Sequence, residues 1–237
     1  MSGHSKWATI KRQKGVADAK RSQVFTKLAN TITVAAKNGA DPTMNFKLRL
    51  AIDRAREANM PKDNIERAVK RGIGEEGGKL EEITYEAYGP GSVAMLIECL
   101  TDNKNRTSSN LRHLLERAGG RLADMGSVSW MFETKAVVQL PLPQVGRDEL
   151  ELLLIEAGAT DLTEENEQLI ITGEPANLET IKQVLTTKGL ALTYSGIEPI
   201  SKTTVSITDL DIENKLNNLR EILEADDDVT ATYDNQA

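Results

Sequence analysis

The sequence predicts an α+β protein in which a helical N-terminal domain is followed by two ferredoxin-like α+β domains, one inserted in the other. Three observations predict this class. Apolar residues recur at helical spacing in the first third of the chain, a βαββαβ order of patterns spans residues 136–197, and the charge changes sign between the two regions. At 237 residues, the chain also exceeds the usual length of one domain.

Three amphipathic helices are predicted in the first third. Their apolar faces are formed by Phe25, Leu28, Ala29, Ile32 and Ala36, by Leu48, Ala51, Ile52 and Ala55, and by Ile65, Ala68 and Val69. Pro61 bars continuation of the second helix. We expect the third to begin at Asp63 with Glu66 in a capping box. The glycine-rich residues 72–79 predict a hinge, so the first domain is residues 1–76 with a mobile N-terminal arm.

Residues 79–134 and 203–237 are predicted to form one discontinuous ferredoxin-like domain, because each contains a βαβ pattern. The predicted elements are strands 83–88 and 93–100, helix 104–118, strand 128–132, strand 203–208, helix 209–224 and strand 229–233. Pairing of strand 229–233 with strand 93–100 would favour this arrangement. The alternative is that the C-terminal residues dock on the inserted domain.

Residues 135–202 are predicted to form that inserted domain. Its elements are strand 136–140, helix 147–157, strand 159–163, strand 168–172, helix 175–188 and strand 190–197. Pro175 suits the first turn of the second helix and Gly189 ends it. This is the order of a ferredoxin-like fold.

The charge is strongly segregated along the chain. Residues 1–74 contain 16 Lys+Arg against 6 Asp+Glu, whereas residues 75–237 contain 13 against 30, so a net charge of +10 is followed by −17. A basic block on an otherwise acidic protein is typical of polyanion binding. The residues proposed to contact nucleic acid here are His4, Lys6, Trp7, Lys11, Arg12, Lys14, Lys20, Arg21 and Lys27. Trp7 suits base stacking and packing against a helix equally.

Two further segments are candidate sites in the second domain. Lys104 and Arg106 lie in a polar strand-to-helix turn, where they and the free amides of the helix N-terminus suit a phosphate, although ordinary N-capping explains the same residues. Tyr85, Tyr88 and Pro90 form a partner-binding candidate at a rigid turn. Tyrosines in such positions more often pack a sheet edge.

The sequence contains no motif for catalysis or for a cofactor. It lacks a phosphate-binding P-loop, a dinucleotide fingerprint and a nucleophile elbow, and Cys99 is the lone cysteine, within an apolar strand. We therefore expect a protein without enzymatic activity, cofactor or metal. No run approaches the roughly 20 apolar residues of a membrane span, and the polar N-terminus lacks a signal core, so a cytoplasmic location is expected.

Five motifs in order resemble the YebC/PmpR family, which includes the mitochondrial translational activator of cytochrome c oxidase. They are Gly3-His4-Ser5-Lys6-Trp7, Asn59-Met60-Pro61-Lys62-Asp63-Asn64-Ile65, Tyr88-Gly89-Pro90-Gly91, Thr101-Asp102-Asn103-Lys104-Asn105-Arg106-Thr107 and Gly126-Ser127-Val128. The resemblance implies a three-domain α+β protein without enzymatic activity. It also implies a DNA-binding transcriptional regulator or, as in some members, a ribosome-associated factor that aids translation of proline-rich stretches.

Two functions with different nucleic-acid partners therefore remain open. A transcriptional regulator would bind DNA, although no convincing base-reading helix-turn-helix is present. A translation factor would bind rRNA, tRNA or the ribosome, which suits a basic surface that recognises shape. A small-molecule sensor is a weaker third hypothesis, based on fold analogy. The sequence does not determine the oligomeric state.

Overall fold

A computed structural model of the chain describes residues 18–74, 80–143, 147–165 and 167–237. Within these residues the helices are α1 (Asp18–Ala36), α2 (Phe46–Glu57), α3 (Lys62–Gly72), α4 (Lys104–Arg117), α5 (Arg147–Glu156), α6 (Leu178–Thr187) and α7 (Leu210–Ala225). The strands are β1 (Glu81–Tyr88), β2 (Ala94–Thr101), β3 (Arg121–Leu122), β4 (Phe132–Pro141), β5 (Ala159–Glu165), β6 (Gln168–Gly173), β7 (Tyr194–Ser201) and β8 (Val229–Asp234). The fold is α+β, with a helical N-terminal region and two four-stranded antiparallel sheets.

The helical region forms around the three apolar faces predicted from periodicity. Residues of all three faces, together with Met60, make one buried cluster. Asn45 begins α2, because its side chain accepts the Leu48 N–H at 3.1 Å and donates to the Ala35 carbonyl at 2.7 Å. The predicted capping box at Asp63 and Glu66 is wrong. Helix α3 begins at Lys62 without a side-chain cap, and Glu66 instead lies 3.4 Å from the ammonium of Lys62.

Helices α1 and α3 cross with their backbones unusually close together. A Cβ built on Gly72 would lie 2.3 Å from the Thr33 carbonyl oxygen and 2.5 Å from the Ala36 Cβ. Thr33 strengthens the crossing by donating its hydroxyl to the Ala68 carbonyl at 3.1 Å. Glycine at the end of α3 is therefore required by packing.

Replacing Gly72 with alanine should destabilise the helical region by about 2 kcal/mol, because the added methyl overpacks the crossing despite a better helix propensity. Denaturant unfolding followed by circular dichroism measures this change. Gly119→Ala is the comparison, since Gly119 has a φ of +83° but a Cβ added there would have nothing within 4 Å, so it reports backbone strain alone. If Gly72→Ala leaves the free energy of unfolding unchanged, the close crossing of α1 and α3 is contradicted.

The first sheet has the strand order β3-β1-β2-β8, with all neighbours antiparallel. The predicted hairpin connects β1 and β2 through a 3-10 turn at Pro90–Ser92. Helices α4 and α7 contribute to the buried core of this sheet, which includes Leu111, Leu115, Leu216, Leu219 and Leu223. Strand β8 pairs with β2 from Met95↔Asp234 to Cys99↔Val229. This pairing favours the discontinuous domain, whose boundaries stay a prediction.

Two strands predicted around this sheet are wrong. Residues 128–132 contain a 3-10 helix at Ser129–Met131 that leads into β4. The cause is the buried carboxylate of Glu86, which accepts the N–H groups of Gly126, Val128 and Ser129 and so removes them from any sheet ladder. Residues 203–208 make a single bridge, Val205↔Gln236, rather than a strand.

The second sheet has the order β5-β6-β4-β7 and belongs to a compact unit spanning Met131–Thr204. Its elements follow the predicted βαββαβ order, although the last strand begins at Tyr194 rather than residue 190. Helix α6 packs closely on the sheet, because a Cβ on Gly173 would lie 3.0 Å from the Ile181 side chain. The helical region and the first sheet belong to the other unit. Among the described helices, none combines the length and hydropathy needed to cross a bilayer.

Candidate nucleic-acid interface

The residues proposed for nucleic-acid binding fall into three groups in the structure. His4, Lys6, Trp7, Lys11, Arg12 and Lys14 lie outside the described residues. Lys20 and Arg21 belong to the first turn of α1. Lys27, Lys104 and Arg106 have described side chains, and all three contact groups of the protein itself.

Lys27 contacts the C-terminal end of α7. Its ammonium donates to the Glu224 carbonyl at 2.7 Å. Burial lowers the pKa of Lys27, and the nearby carboxylates of Asp226, Glu224 and Asp227 oppose this effect. A cation at a helix C-terminus is favourable, because carbonyl groups are left unpaired there. Lys27 therefore ties α1 to α7 within the protein, which weakens its candidacy as a phosphate contact.

Lys37 makes a second link of the same kind. Its ammonium donates to the Leu80 carbonyl, immediately before β1. Neither Lys27 nor Lys37 uses a carboxylate as its hydrogen-bond acceptor in these two contacts. Through these backbone oxygens, the two lysines link α1 and the residue after it to the end of α7 and to the residue before β1.

The strand-to-helix turn at Lys104 and Arg106 is neutralised by acidic residues. The ammonium of Lys104 lies 2.6 Å from the Glu81 carboxylate, and this hydrogen bond raises the pKa of Lys104. The guanidinium of Arg106 lies 3.0 Å from Asp102 and 3.1 Å from Asp228. Asp228 also accepts the Thr107 hydroxyl at 2.7 Å. These cations serve the internal structure of the turn.

The N-terminus of α4 has an ordinary N-cap, which was the alternative to a phosphate site. The side chain of Asn103 accepts the Arg106 N–H at 3.1 Å, which is an ordinary N-cap. Because one of the free amides is already satisfied and both cations are paired, little remains to attract a phosphate. The nucleic-acid assignment of Lys104 and Arg106 stays a prediction without support from this geometry.

The partner-binding candidate formed by Tyr85, Tyr88 and Pro90 also makes its contacts within the protein. The Tyr85 hydroxyl donates to the Lys104 carbonyl at 3.1 Å, and burial raises the pKa of Tyr85. The Tyr88 hydroxyl donates to the Ser127 carbonyl at 3.2 Å, while the Arg121 guanidinium lies 4.8 Å from the centre of the Tyr88 ring. Pro90 is buried. The geometry therefore favours packing within the protein over partner binding.

The exposed cations on α2 and α3 are not among the site residues predicted from the sequence. Lys47, Arg67 and Lys70 are exposed and form no ion pair with a carboxylate of the described residues. The Arg49 guanidinium lies 5.4 Å from the centre of the Phe46 ring. Helical periodicity could have identified these residues, since each lies on the polar side of a helix whose apolar face was predicted.

Metal binding and thiol chemistry can both be examined in the described residues. No group of three or more His, Cys, Asp or Glu side chains among them is placed to hold a metal ion. Cys99 is buried, and burial together with nearby carboxylates raises the pKa of its thiol to about 12. The thiol is therefore protonated at neutral pH and unsuited to act as a nucleophile.

Comparison with known proteins gives matches over almost the whole chain. A family model described as the TACO1/YebC protein N-terminal domain matches residues 5–75, and one described as the TACO1/YebC second and third domain matches residues 80–236. A "Probable transcriptional regulatory protein" of Pseudothermotoga lettingae is 50% identical, covering 99% of this chain and 93% of that protein. One of the same name from Treponema pallidum is 48% identical, covering 99% and 96%.

A solved structure matches equally completely. A conserved hypothetical protein from Aquifex aeolicus superposes with a TM-score of 0.87 at 40% identity, and the match covers 98% of this chain and 97% of that one.

Proposed function

This chain belongs to the TACO1/YebC family, and from that premise we propose that it is a non-enzymatic, cytoplasmic regulator of transcription that binds DNA. The names of the relatives support the regulatory role. DNA is the partner proposed for this role, and the basic first third of the chain is the part proposed to bind it.

The observation that carries the proposal is the segregation of charge. Of the 29 Lys and Arg residues, 16 lie within residues 1–74, where only 6 acidic residues accompany them. In the described part of this region, Lys47, Arg67 and Lys70 are exposed without a carboxylate partner among the described residues. Binding of such cations to a phosphodiester backbone is favourable, because it releases the counterions condensed on the nucleic acid.

The cations that bind DNA are therefore those of the helical region and the segment before it. Lys104 and Arg106 contribute less, because Glu81, Asp102 and Asp228 already neutralise them. Contacts of this kind position a protein on the duplex without reading bases. Sequence preference, where it exists, arises from the shape and deformability of the DNA.

The salt dependence of DNA binding tests this proposal. If the N-terminal segment before α1 neutralises about six phosphates, a plot of log K against log salt on duplex DNA should have a slope of about −5. Replacing Lys6, Lys11, Arg12 and Lys14 together with glutamine should flatten the slope by about 3 to 4. Fluorescence anisotropy of a labelled duplex between about 50 and about 200 mM salt measures both slopes.

A matched control separates local contacts from net charge. The variant in which Lys182, Lys188, Lys202 and Lys215 are replaced with glutamine carries the same change in charge, but it should keep the wild-type slope. Equal slopes for both variants would refute the proposed binding region. Tight cosedimentation with ribosomes, combined with DNA binding no stronger than about 10⁻⁴–10⁻⁶ M at physiological salt, would overturn DNA as the partner and favour RNA.

A further inference from the structure

A cavity opens between α2 and α3 in the helical region. Its volume is about 490 Å³. Its apolar lining consists of Pro42, Ile52, Met60, Ile65 and Val69. This volume lies within the range of small-molecule sites, which are lined mainly by apolar side chains with a few polar groups.

The cavity is built by helical spacing and one tight turn. Residues 62, 65, 66, 69 and 70 lie on one face of α3, and residues 52 and 56 lie one turn apart on α2. Asn59 has a φ of 60°, and the Met60 N–H donates to the Ala55 carbonyl at 2.9 Å, so the chain reverses and Met60 joins the lining. Met60 has a flexible side chain that adapts to an irregular ligand surface.

The charged residues at the cavity have an excess of positive charge. Among the described residues that line the cavity, Arg56, Lys62 and Lys70 accompany one acidic residue, Glu66. Glu66 lies 3.4 Å from Lys62, and Arg56 lies 3.5 Å from Asp53. Lys70 forms no ion pair with a carboxylate of the described residues, and it is exposed. An apolar cavity beside such a cation is complementary to a molecule with an apolar body and one anionic group.

The size of the cavity favours a small molecule over a protein. A stable protein–protein interface needs about 20–30 residues from each partner. Nine of the described residues line this cavity. An apolar chain of a few methylene groups fits the lining, and each CH₂ group that it buries there adds to the affinity. We propose that the cavity between α2 and α3 binds a small amphiphilic anion, with its apolar chain against Ile52, Met60 and Ile65 and its anionic group at Lys70.

Decanoate, at concentrations below micelle formation, is a suitable probe. In protein labelled at the methionine methyl groups, the NMR resonance of Met60 should shift in a saturable manner as decanoate is added. Met125, which lies in the β3–β4 connection and is 95% exposed, should not shift. Decyltrimethylammonium has a similar chain with the opposite charge, and its affinity should be lower by at least about tenfold, because it meets net positive charge.

Two variants test the two halves of the site. Lys70→Glu should weaken decanoate binding by at least about fivefold, whereas Lys215→Glu, an equal charge change on α7, should leave it unchanged. Val69→Phe should fill the cavity and reduce binding further. Circular dichroism verifies that each variant is folded, and Lys70→Glu changes an exposed residue, so it remains informative if Val69→Phe unfolds. An unshifted Met60 resonance, equal affinity for the cationic amphiphile, or unchanged binding by Lys70→Glu would each overturn the proposal.

Discussion

Replacing Asp234 with alanine is expected to lower the free energy of unfolding by about 3–5 kcal/mol, which is the largest effect we predict for a single substitution in this protein. Asp234 ends β8, and its carboxylate forms a two-point ion pair with Arg220 of α7. The Arg220 Nε and Nη2 atoms lie 2.8 Å from the two carboxylate oxygens. The side chains are only 10% and 3% exposed.

The size of this effect follows from what the substitution leaves behind. Arg220 also donates to Asn217 at 2.9 Å and to Gln236 at 2.7 Å, so its guanidinium is held in place when Asp234 is removed. An unpaired charge then remains in a region that water reaches poorly, and the cost of removing it from water is no longer offset. The link between α7 and β8 is lost at the same time.

Denaturant unfolding and hydrogen exchange of residues 216–236 measure this prediction. Asp53→Ala is the control, because it removes an exposed pair at 3.5 Å and should cost less than about 1 kcal/mol. The double variant with Arg220→Met and Asp234→Leu removes both charges and should recover most of the loss. If Asp234→Ala costs no more than the control, the buried pair does not stabilise the unit.

Replacing Glu86 with glutamine is expected to cost about 2–3 kcal/mol at neutral pH. Glu86 is buried in β1, and its carboxylate accepts the N–H groups of Gly126, Val128 and Ser129 at 2.7, 2.6 and 3.0 Å. An amide supplies only one acceptor oxygen and points N–H donors at the remaining backbone donors. The connection between β3 and β4 should then open more often, which hydrogen exchange at Val128 would detect.

The same site predicts a dependence on pH. Burial of the carboxylate opposes ionisation, but the backbone N–H donors outweigh this cost and hold the pKa of Glu86 below its ordinary value of 4.5. A lowered pKa in the folded state means that the stabilisation is fully present above the unfolded pKa. It is lost as the pH falls through the folded pKa.

The difference in stability between the wild type and Glu86→Gln should therefore be constant from neutral pH to about pH 5 and shrink below it. Urea unfolding of both proteins between about pH 7 and about pH 3 measures this difference. Glu116→Gln, at an exposed position of α4, is the matched control for the loss of one carboxylate. A difference that grows on acidification would contradict the proposed role of the carboxylate.

The helical region shows which parts of the fold periodicity could predict. The spacing of Ile32, Leu48, Ile52 and Ile65 identified the buried faces correctly, because a helix places residues three and four apart on one side. The capping box at Asp63 was predicted wrongly from an equally local pattern. The helix there begins one residue earlier with Pro61 as its N-cap, so the local signal marked the start but not the contacts.

The candidate site was less accessible to prediction than the fold. Residue type and clustering identified the basic third of the chain, but they did not show that Lys27 and Arg106 have partners within the protein. In the structure Lys27 contacts Glu224 and Arg106 contacts Asp228, across 197 and 122 residues of sequence. The cavity between α2 and α3 was not foreseen either, since it depends on how Ile52 and Met60 face α3.

The amino-acid order thus determined most of the elements, their buried faces, the segregated charge and the family resemblance, because each of these is a local or compositional property. Tertiary structure alone decided which cations are neutralised, which backbone donors Glu86 collects and where a cavity opens. The physical reason is that these properties depend on distances of a few ångströms between groups that lie far apart in the chain. Pairing and burial, rather than residue type, set the electrostatic free energy of such groups.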